Sequence, residues 1–232
     1  MRPAPRWLKL GLAWLFGLLL AWQGWYVGWV TWWKWVDPGV TSFQSQRLDE
    51  LRQKHPQAEL KQTWVPYEKI SMHLKRAVVA AEDDRFIDHE GFDWEGMQKA
   101  LEKNRRKGKV VAGGSTISQQ LAKNLLLSSN RSLLRKGEEA IITFWLELLW
   151  DKRRILEVYL NVVEWGEGIF GAEAAARHYF GVAASQLSAV QAARLAVMLP
   201  APRRYEKNIY SAYLTGRTER ILSRMSEAEV PR

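Results

Sequence analysis

The sequence contains no cysteine, and this absence excludes disulfide scaffolds, cysteine nucleophiles and thiolate metal sites. Acidic residues are outnumbered, since 34 Lys and Arg stand against 25 Asp and Glu and give a net charge of +9. This balance favours anionic partners: nucleic acid, an anionic membrane surface or a phosphorylated substrate. Hydrophobic residues make up 47% of the chain, which excludes wholesale disorder.

The chain also lacks runs of alternating polar and apolar residues and shows no internal repeat. Its length of 232 residues suits a single catalytic-sized domain with a small additional segment. Most of its apolar residues recur at helical spacing. We therefore predict a mainly α-helical protein.

One long stretch near the N-terminus lacks charge. The 24 positions from Leu10 to Trp33 contain no charged residue, and about 20 apolar residues are enough to span a bilayer core as a helix. Eight of the thirteen tryptophans lie between Trp7 and Trp35, with members at both ends of the stretch, as in an aromatic belt. We predict one transmembrane helix.

Charges on either side of this stretch predict its orientation. Arg2, Arg6 and Lys9 precede it, whereas Lys34 and Asp37 follow it. The positive-inside rule therefore places the N-terminus in the cytoplasm and the remainder outside. The alternative is a cleaved signal peptide, whose apolar region would run about 7–15 residues and end in small residues rather than in tryptophans.

Three segments follow from these patterns. Residues 1–36 form a cytoplasmic tail and anchor, residues 37–63 form a polar connector with a short helix around Leu48–Lys54, and residues 64–232 form the catalytic-sized domain. Helices are predicted to end near Glu82, to begin after Gly113-Gly114, and to cover about 132–150, 152–163, 171–180 and 211–226. The basic run Lys103–Lys109 is predicted to be loop-like. Predicted caps are Asp151, Gly181 and the Ser188/Gln191 capping box.

The first polar cluster runs from Glu82 to Gly91 and contains five carboxylates and one histidine. A carboxylate at the end of an apolar helix is partly desolvated, which raises its pKa towards the range used in proton transfer. For any single acid the alternative is a polar helix end. No second histidine lies at a ligand-like spacing, so we predict no metal site.

The second cluster follows the glycine pair. Thr116, Gln120 and Lys123 share one helix face, which suits a phosphorylated or sugar ligand, although a solvated amphipathic helix has the same pattern. The third cluster places Arg131 and Arg135 four residues apart, with Glu139 in the same row. Two guanidinium groups can bind phosphate oxygens, but spacing alone does not distinguish this from ordinary Arg–Glu pairing.

Together these clusters resemble the peptidoglycan glycosyltransferases of glycosyltransferase family 51, in their monofunctional membrane-anchored form. The resemblance covers about residues 64–205 and rests on ordered motifs: E-D-x-x-F-x-x-H-x-G from Glu82, G-G-S-T-I-x-Q-Q-x-x-K-N from Gly113, R-K-x-x-E from Arg135, K-x-x-I-L-E-x-Y-L-N from Lys152, and Gly166–Gly181. Five such motifs in order make coincidence improbable.

The resemblance implies a lysozyme-like helical catalytic domain that polymerises lipid II, an undecaprenyl-diphosphate-linked disaccharide pentapeptide, into β-1,4 glycan with inversion at the anomeric carbon and release of undecaprenyl diphosphate. It implies a location on the outer, periplasmic face of the cell inner membrane. Bifunctional relatives carry a transpeptidase domain after this one, and the end of this chain at Arg232 implies that cross-linking falls to other enzymes.

The resemblance also assigns roles to residues. Glu82 would be the general base and Glu139 the second essential glutamate, while Lys123, Arg131, Arg135 and Lys136 would neutralise the diphosphate. The remaining predicted site residues would line or shape the site: Asp83, Phe86, His89, Ser115, Thr116, Gln120 and Asn124. No cofactor is required by these motifs, although a divalent cation such as Mg²⁺ or Mn²⁺ could bridge diphosphate oxygens.

Other partners implied are the growing glycan chain, anionic lipid and penicillin-binding or division proteins. Two rival interpretations exist. A lytic lysozyme-like enzyme would shorten glycan and would not need the cations around Lys123. A nucleic-acid-binding or scaffold protein would fit the charge of +9, but aromatics interleaved with basic runs are scarce outside the anchor, so we predict no nucleic-acid partner.

Overall fold

The computed structural model describes residues 5–109, 113–130 and 132–232, and the chain divides into two compact units between Asp37 and Pro38. The first unit is helix α1, Arg6–Trp33, whose 28 residues extend over about 42 Å at 1.5 Å per residue. Its large apolar side chains are mostly exposed. Within the described ranges it is the one helix long and apolar enough to cross a membrane, as predicted.

The second unit is mainly α-helical, which confirms the predicted class. Its helices are α2 Ser42–Lys54, α3 Met72–Glu82, α4 Trp94–Lys107, α5 Ile117–Leu126, α6 Leu133–Leu149, α7 Lys152–Val162, α8 Ala172–Phe180, α9 Ala189–Ala196, α10 Pro202–Tyr205 and α11 Ala212–Arg224. Short 3₁₀ turns cover Tyr67–Lys69, Ala184–Gln186 and Glu206–Asn208.

A small sheet accompanies the helices. Strands β1 Lys61–Gln62, β2 Glu164–Gly166 and β3 Ile169–Phe170 lie in the order β1-β3-β2. Strand β1 runs parallel to β3 with Lys61 opposite Ile169, and β2 runs antiparallel to β3 with a register irregularity. The sequence did not predict these strands, because two or three residues are too short to show an alternating pattern.

The predicted caps are present. The Asp151 side chain accepts from the backbone N–H of Arg154, and Ser188 and Gln191 form a reciprocal capping box. Helix α8 ends at Gly181 in the left-handed region, with φ of +67°, where glycine avoids the strain of a side chain. Local chemistry at these helix ends therefore determines their positions.

Two segments differ from the prediction. Helix α2 begins at Ser42, well before Leu48, because Thr41 and Gln44 form a capping box; residues described as connector thus fold with the second unit. The prediction of a loop over Lys103–Lys109 is wrong, because α4 continues to Lys107. The helix ends at Gly108, which has a φ of +63°. Lysine and arginine are good helix formers, and solvent accommodates their exposed charges.

The core positions the two polar clusters side by side. Helix α5 packs against α2, α6 and α7 with Ile117, Leu121 and Leu125 buried, whereas α3 packs against α9 and α11. The largest fully buried side chains include Trp165 and Tyr159. This packing brings the C-terminal end of α3 next to the polar face of α5.

Candidate active site

Glu82 is the last residue of α3 and bonds directly to the polar face of α5. Its Oε2 accepts a hydrogen bond from Nε2 of Gln120 at 2.9 Å. The hydroxyl of buried Tyr159 donates to Oε1 of Gln120 at 3.0 Å, which orients the amide so that its nitrogen faces Glu82. The first two predicted clusters therefore meet at one carboxylate.

The surroundings of Glu82 shift the pKa of its carboxyl group. Desolvation raises the pKa of Glu82 above the ordinary value, while the Gln120 hydrogen bond and the positive charges of Arg217 and Lys123 oppose that rise. The side chain still retains partial solvent access. A carboxyl group with a raised pKa in an open cleft is suited to accept a proton.

Asp83, next to this carboxylate, has a structural set of partners. Its Oδ1 lies 2.9 Å from Nε2 of His89, and its Oδ2 accepts from the backbone N–H of Ile117 at 2.9 Å. Because Gly91 N–H donates to Nδ1 of His89 at 3.1 Å, the proton of the ring lies on Nε2 and points at Asp83. Asp83 thereby joins the end of α3 to the start of α5.

Thr116 and Phe86 also have structural partners. The Thr116 hydroxyl donates to the carbonyl of Gly91 at 2.7 Å and caps α5. The Phe86 ring is fully buried, with the Lys152 ammonium 4.7 Å from its centroid. Phe86 therefore shapes the site from the core and exposes no surface to a ligand. Asp83 and Thr116 do reach a cavity wall.

A cationic pocket of about 410 Å³ lies beside this arrangement. The buried Glu139 accepts from Nη1 of Arg135 at 2.8 Å and from the ammonium of Lys136. Lys136 also lies 3.4 Å from the hydroxyl of Ser115. Arg135 and Glu139 of the third predicted cluster thus form an ion pair at i,i+4 spacing, and both side chains also line the pocket.

Lys123 enters the same pocket from α5. Desolvation lowers the pKa of Lys123, which the negative charge of Glu139 opposes. Its ammonium faces the ring of Phe43 at 5.3 Å. Asn124 lines the pocket, and Arg131 lies outside the described residues.

Two charged residues of the pocket were missed by sequence reasoning. Arg47 reaches it from α2 and donates through Nε to Oε2 of Glu164 at 3.2 Å. Glu164 belongs to β2, and burial raises the pKa of Glu164 to about 7. The Thr41/Gln44 box could have revealed α2, but no local signal showed that α2 packs on α5 or that β2 exists.

The pocket and Glu82 belong to one cleft. Cavities of about 360 and 690 Å³ are both lined by Glu82, and Ser115 lines these two and the cationic pocket as well. Gln120 contributes to the largest cavity and to the cationic pocket. The Glu82 carboxylate is therefore continuous with a cationic pocket, an arrangement that suits transfer from a phosphorylated donor.

The described residues of the pocket offer few free ligand atoms for a metal ion. Within the part of the chain that the structure describes, no three His, Asp or Glu side chains are grouped to hold a metal ion. The pocket carboxylates Glu139 and Glu164 are each already paired with a cation. A metal ion there would have to compete with these ion pairs.

Comparison with known proteins gives a consistent result. Residues 47–226 match the protein family described as Transglycosylase. The chain is 63% identical over 231 residues to the biosynthetic peptidoglycan transglycosylase of Dechloromonas aromatica (strain RCB), and 62% identical over 231 residues to that of Azoarcus sp. (strain BH72), with the whole of each chain covered. It is 54% identical over 226 residues to the protein of the same name from Laribacter hongkongensis (strain HLHK9), covering 97% of this chain and 99% of the relative.

Proposed function

Because the chain belongs to the transglycosylase family and is a peptidoglycan glycosyltransferase that polymerises glycan strands, we propose that Glu82 is the general base of this reaction. The observation that carries the proposal is a carboxylate of raised pKa in a cleft continuous with a cationic pocket. The donor is a growing glycan whose reducing sugar is α-linked to a lipid diphosphate. The acceptor is lipid II.

The proposed step is a direct displacement at the anomeric carbon of the donor. The 4-hydroxyl oxygen of the acceptor GlcNAc forms the new bond while its proton passes to Glu82. The bond from the anomeric carbon to the diphosphate breaks, and its electron pair leaves with the diphosphate. Attack from the opposite face converts the α-link into β-1,4 and releases undecaprenyl diphosphate.

The cationic pocket would stabilise the departing diphosphate. Lys123, Arg135 and Lys136 line it, and the family resemblance adds Arg131 to the expected diphosphate-binding residues. Charge neutralisation in a partly desolvated pocket is worth far more than in water, so these groups can lower the barrier without donating a proton. Glu139 holds Arg135 and Lys136 in place, which supports an orienting role for this glutamate.

Binding of a divalent cation would require the substrate in this scheme. Because the pocket carboxylates are paired with Arg47, Arg135 and Lys136, the ligands of Mg²⁺ or Mn²⁺ would come from diphosphate oxygens. Such an ion would add positive charge at the leaving group. The roles given to Glu82 and Glu139 do not require it.

The protein is membrane-anchored through α1, and we place the anchor in the cell inner membrane with the N-terminus in the cytoplasm and the second unit in the periplasm. The basic residues Arg6 and Lys9 at the start of α1 support this orientation. Lipid II is itself confined to a membrane. Anchoring the enzyme in the same surface replaces a three-dimensional search by a lateral one and raises the effective concentration of substrate.

Polymerisation of fluorescent lipid II by the detergent-solubilised full chain tests the proposal. Wild type should give polymer that a muramidase digests, and Glu82→Gln should give none. Glu90→Gln is the matched control, since Glu90 is an exposed acid of the same motif region. Absence of polymer from folded wild type would overturn the proposal, and shortening of purified glycan strands would replace it with the lytic interpretation.

A further inference from the structure

A second group of cations surrounds Glu82 in the largest cavity of the cleft, of about 690 Å³. Two come from α4 and three from α11; they are Lys103, Lys107, Arg217, Arg220 and Arg224. Glu82 is the one carboxylate among the described residues that line this cavity. None of these five cations belongs to the cationic pocket described above.

The packing of α11 determines where its arginines point. The helix buries one stripe at i, i+4 and i+7, which consists of Leu214, Thr218 and Ile221, and the C-cap residue Met225 continues it. A parallel stripe begins one residue earlier and consists of Tyr213, Arg217, Arg220 and Arg224, all of which line the cavity. Adjacent stripes on a helix face adjacent directions, so burial of the first turns the second towards the cleft.

In the part of the chain that the structure describes, most of these cations have no neutralising carboxylate. Arg224 pairs with Asp84 at 2.9 Å. Arg217 donates to the hydroxyl of Tyr213 at 3.1 Å, and Arg220 donates to the carbonyl of Gly216 at 3.2 Å. Within the described ranges, Lys103, Lys107, Arg217 and Arg220 form no ion pair with an acid. Their charges are therefore available to an anion in the cavity.

We propose that this α11 cation cluster (Lys103, Lys107, Arg217, Arg220 and Arg224) binds the diphosphate of the acceptor lipid while the acceptor hydroxyl meets Glu82. The inference rests on the proposed function, in which two substrates each carry a lipid diphosphate. The cationic pocket accounts for the donor diphosphate, and the second diphosphate needs a site of its own. The charge of Arg217 reaches Glu82, since it is among the causes that lower the pKa of that carboxyl.

A single-coupling reaction tests this assignment. The donor is a lipid-linked glycan whose terminal GlcNAc 4-hydroxyl is blocked, and lipid II serves as the acceptor. In Arg217→Gln/Arg220→Gln the KM for lipid II should rise about 10- to 100-fold, because two charged hydrogen-bond donors to the diphosphate are lost. The KM for the donor should change by less than about threefold.

Two further variants control for charge and folding. Arg105→Gln/Arg106→Gln removes the same number of charges from exposed positions of α4 that line no described cavity, and it should leave the acceptor KM unchanged. Arg217→Lys/Arg220→Lys keeps the charge and should restore part of the affinity. Thermal unfolding of each variant establishes that it is folded.

Lipid II carries negative charge on its diphosphate and on the carboxylates of its stem peptide, and modified acceptors distinguish which of the two binds the arginines. An acceptor with the diphosphate but without the stem peptide should show the same rise in KM. A rise seen only with the stem peptide present would show that its carboxylates bind these arginines, and it would overturn the assignment. Wild-type coupling with an unchanged acceptor KM in Arg217→Gln/Arg220→Gln would overturn this inference alone, whereas no coupling by wild type would overturn the proposed function.

Discussion

Gln120 and Glu82, which lie 38 residues apart in the sequence, are joined by a hydrogen bond of 2.9 Å from the amide nitrogen to the carboxylate. Tyr159 occupies the other end of the amide, so the nitrogen can face only Glu82. A donor to a carboxylate stabilises its ionised form. This bond therefore opposes the desolvation that raises the pKa of Glu82.

Gln120→Leu should make the enzyme more sensitive to acid. Loss of the donor removes a contribution that lowers the pKa of Glu82, so the pKa of this carboxyl rises further and the ionised base is lost at higher pH. The acidic limb of the rate–pH profile should move to higher pH. Initial rates of lipid II polymerisation between about pH 5 and about pH 9 measure the shift.

Tyr159→Phe should move the same limb in the same direction by a smaller amount. Without the tyrosine hydroxyl the Gln120 amide is free to rotate, and its nitrogen is no longer held towards Glu82. A profile that stays at the wild-type position in both variants would contradict the assignment of Glu82 as the titrating base.

Glu139→Gln should reduce both stability and activity. The change leaves Arg135 and Lys136 without their anionic partner. Breaking a buried pair costs about 3–5 kcal/mol in unfolding free energy, and partial exposure of Lys136 reduces this to about 2–3 kcal/mol. Misplaced cations should lower kcat by about 10²-fold or more. Urea unfolding and steady-state polymerisation measure the two effects.

Glu138→Gln is the matched control for that variant. Glu138 carries the same side chain one residue earlier, is only partly buried, and forms no ion pair with the described residues. Its substitution should change unfolding free energy by less than about 0.5 kcal/mol. Equal losses in both variants would show that α6 tolerates no neutral residue here and would remove the case for Glu139.

Asp83→Asn should destabilise the junction between α3 and α5. Both partners of Asp83, the ring N–H of His89 and the backbone N–H of Ile117, are donors, whereas an asparagine offers a single acceptor oxygen. One buried donor is then left unsatisfied at a cost of about 1–3 kcal/mol. Denaturant unfolding measures this loss, and an unchanged midpoint would contradict it.

Features set by local chemistry could be predicted from the sequence. Asp151, Gly181 and the Ser188/Gln191 box act within one helical turn, and the structure contains all of them. The 3.6-residue spacing of apolar residues likewise predicted most helices. The predicted loop at the end of α4 is wrong, because exposed Lys and Arg favour helices.

Features set by tertiary packing could not be predicted. Sequence spacing left open whether Arg135 serves a phosphate or pairs with Glu139, and the structure shows the pair lining a pocket. Arg47 and Glu164 reach that pocket through the packing of α2 and the formation of β2, and neither event has a local pattern. Their pairing across 117 residues depends on the completed fold.

Protonation of Glu164 should make the free energy of unfolding depend on pH. Burial raises the pKa of Glu164 to about 7 from the ordinary value of 4.5, even with Arg47 beside it. The folded protein therefore binds this proton more tightly than the unfolded chain does. Binding of this proton by Glu164 stabilises the folded state fully below about pH 4.5, and the stabilisation is lost as the pH rises through about 7.

Glu164→Gln should remove this dependence, because glutamine resembles the protonated acid at every pH. Near pH 5 the variant should unfold at nearly the same temperature as wild type. Near pH 8 it should be more stable by about 2–3 kcal/mol, since wild type then carries a desolvated carboxylate that Arg47 compensates only in part. Titration of Glu82 affects both proteins alike and cancels in the difference. Thermal unfolding of both proteins at the two pH values measures this difference in stability. A variant that is less stable than wild type at pH 8 would show that the ion pair with Arg47 outweighs the desolvation of Glu164.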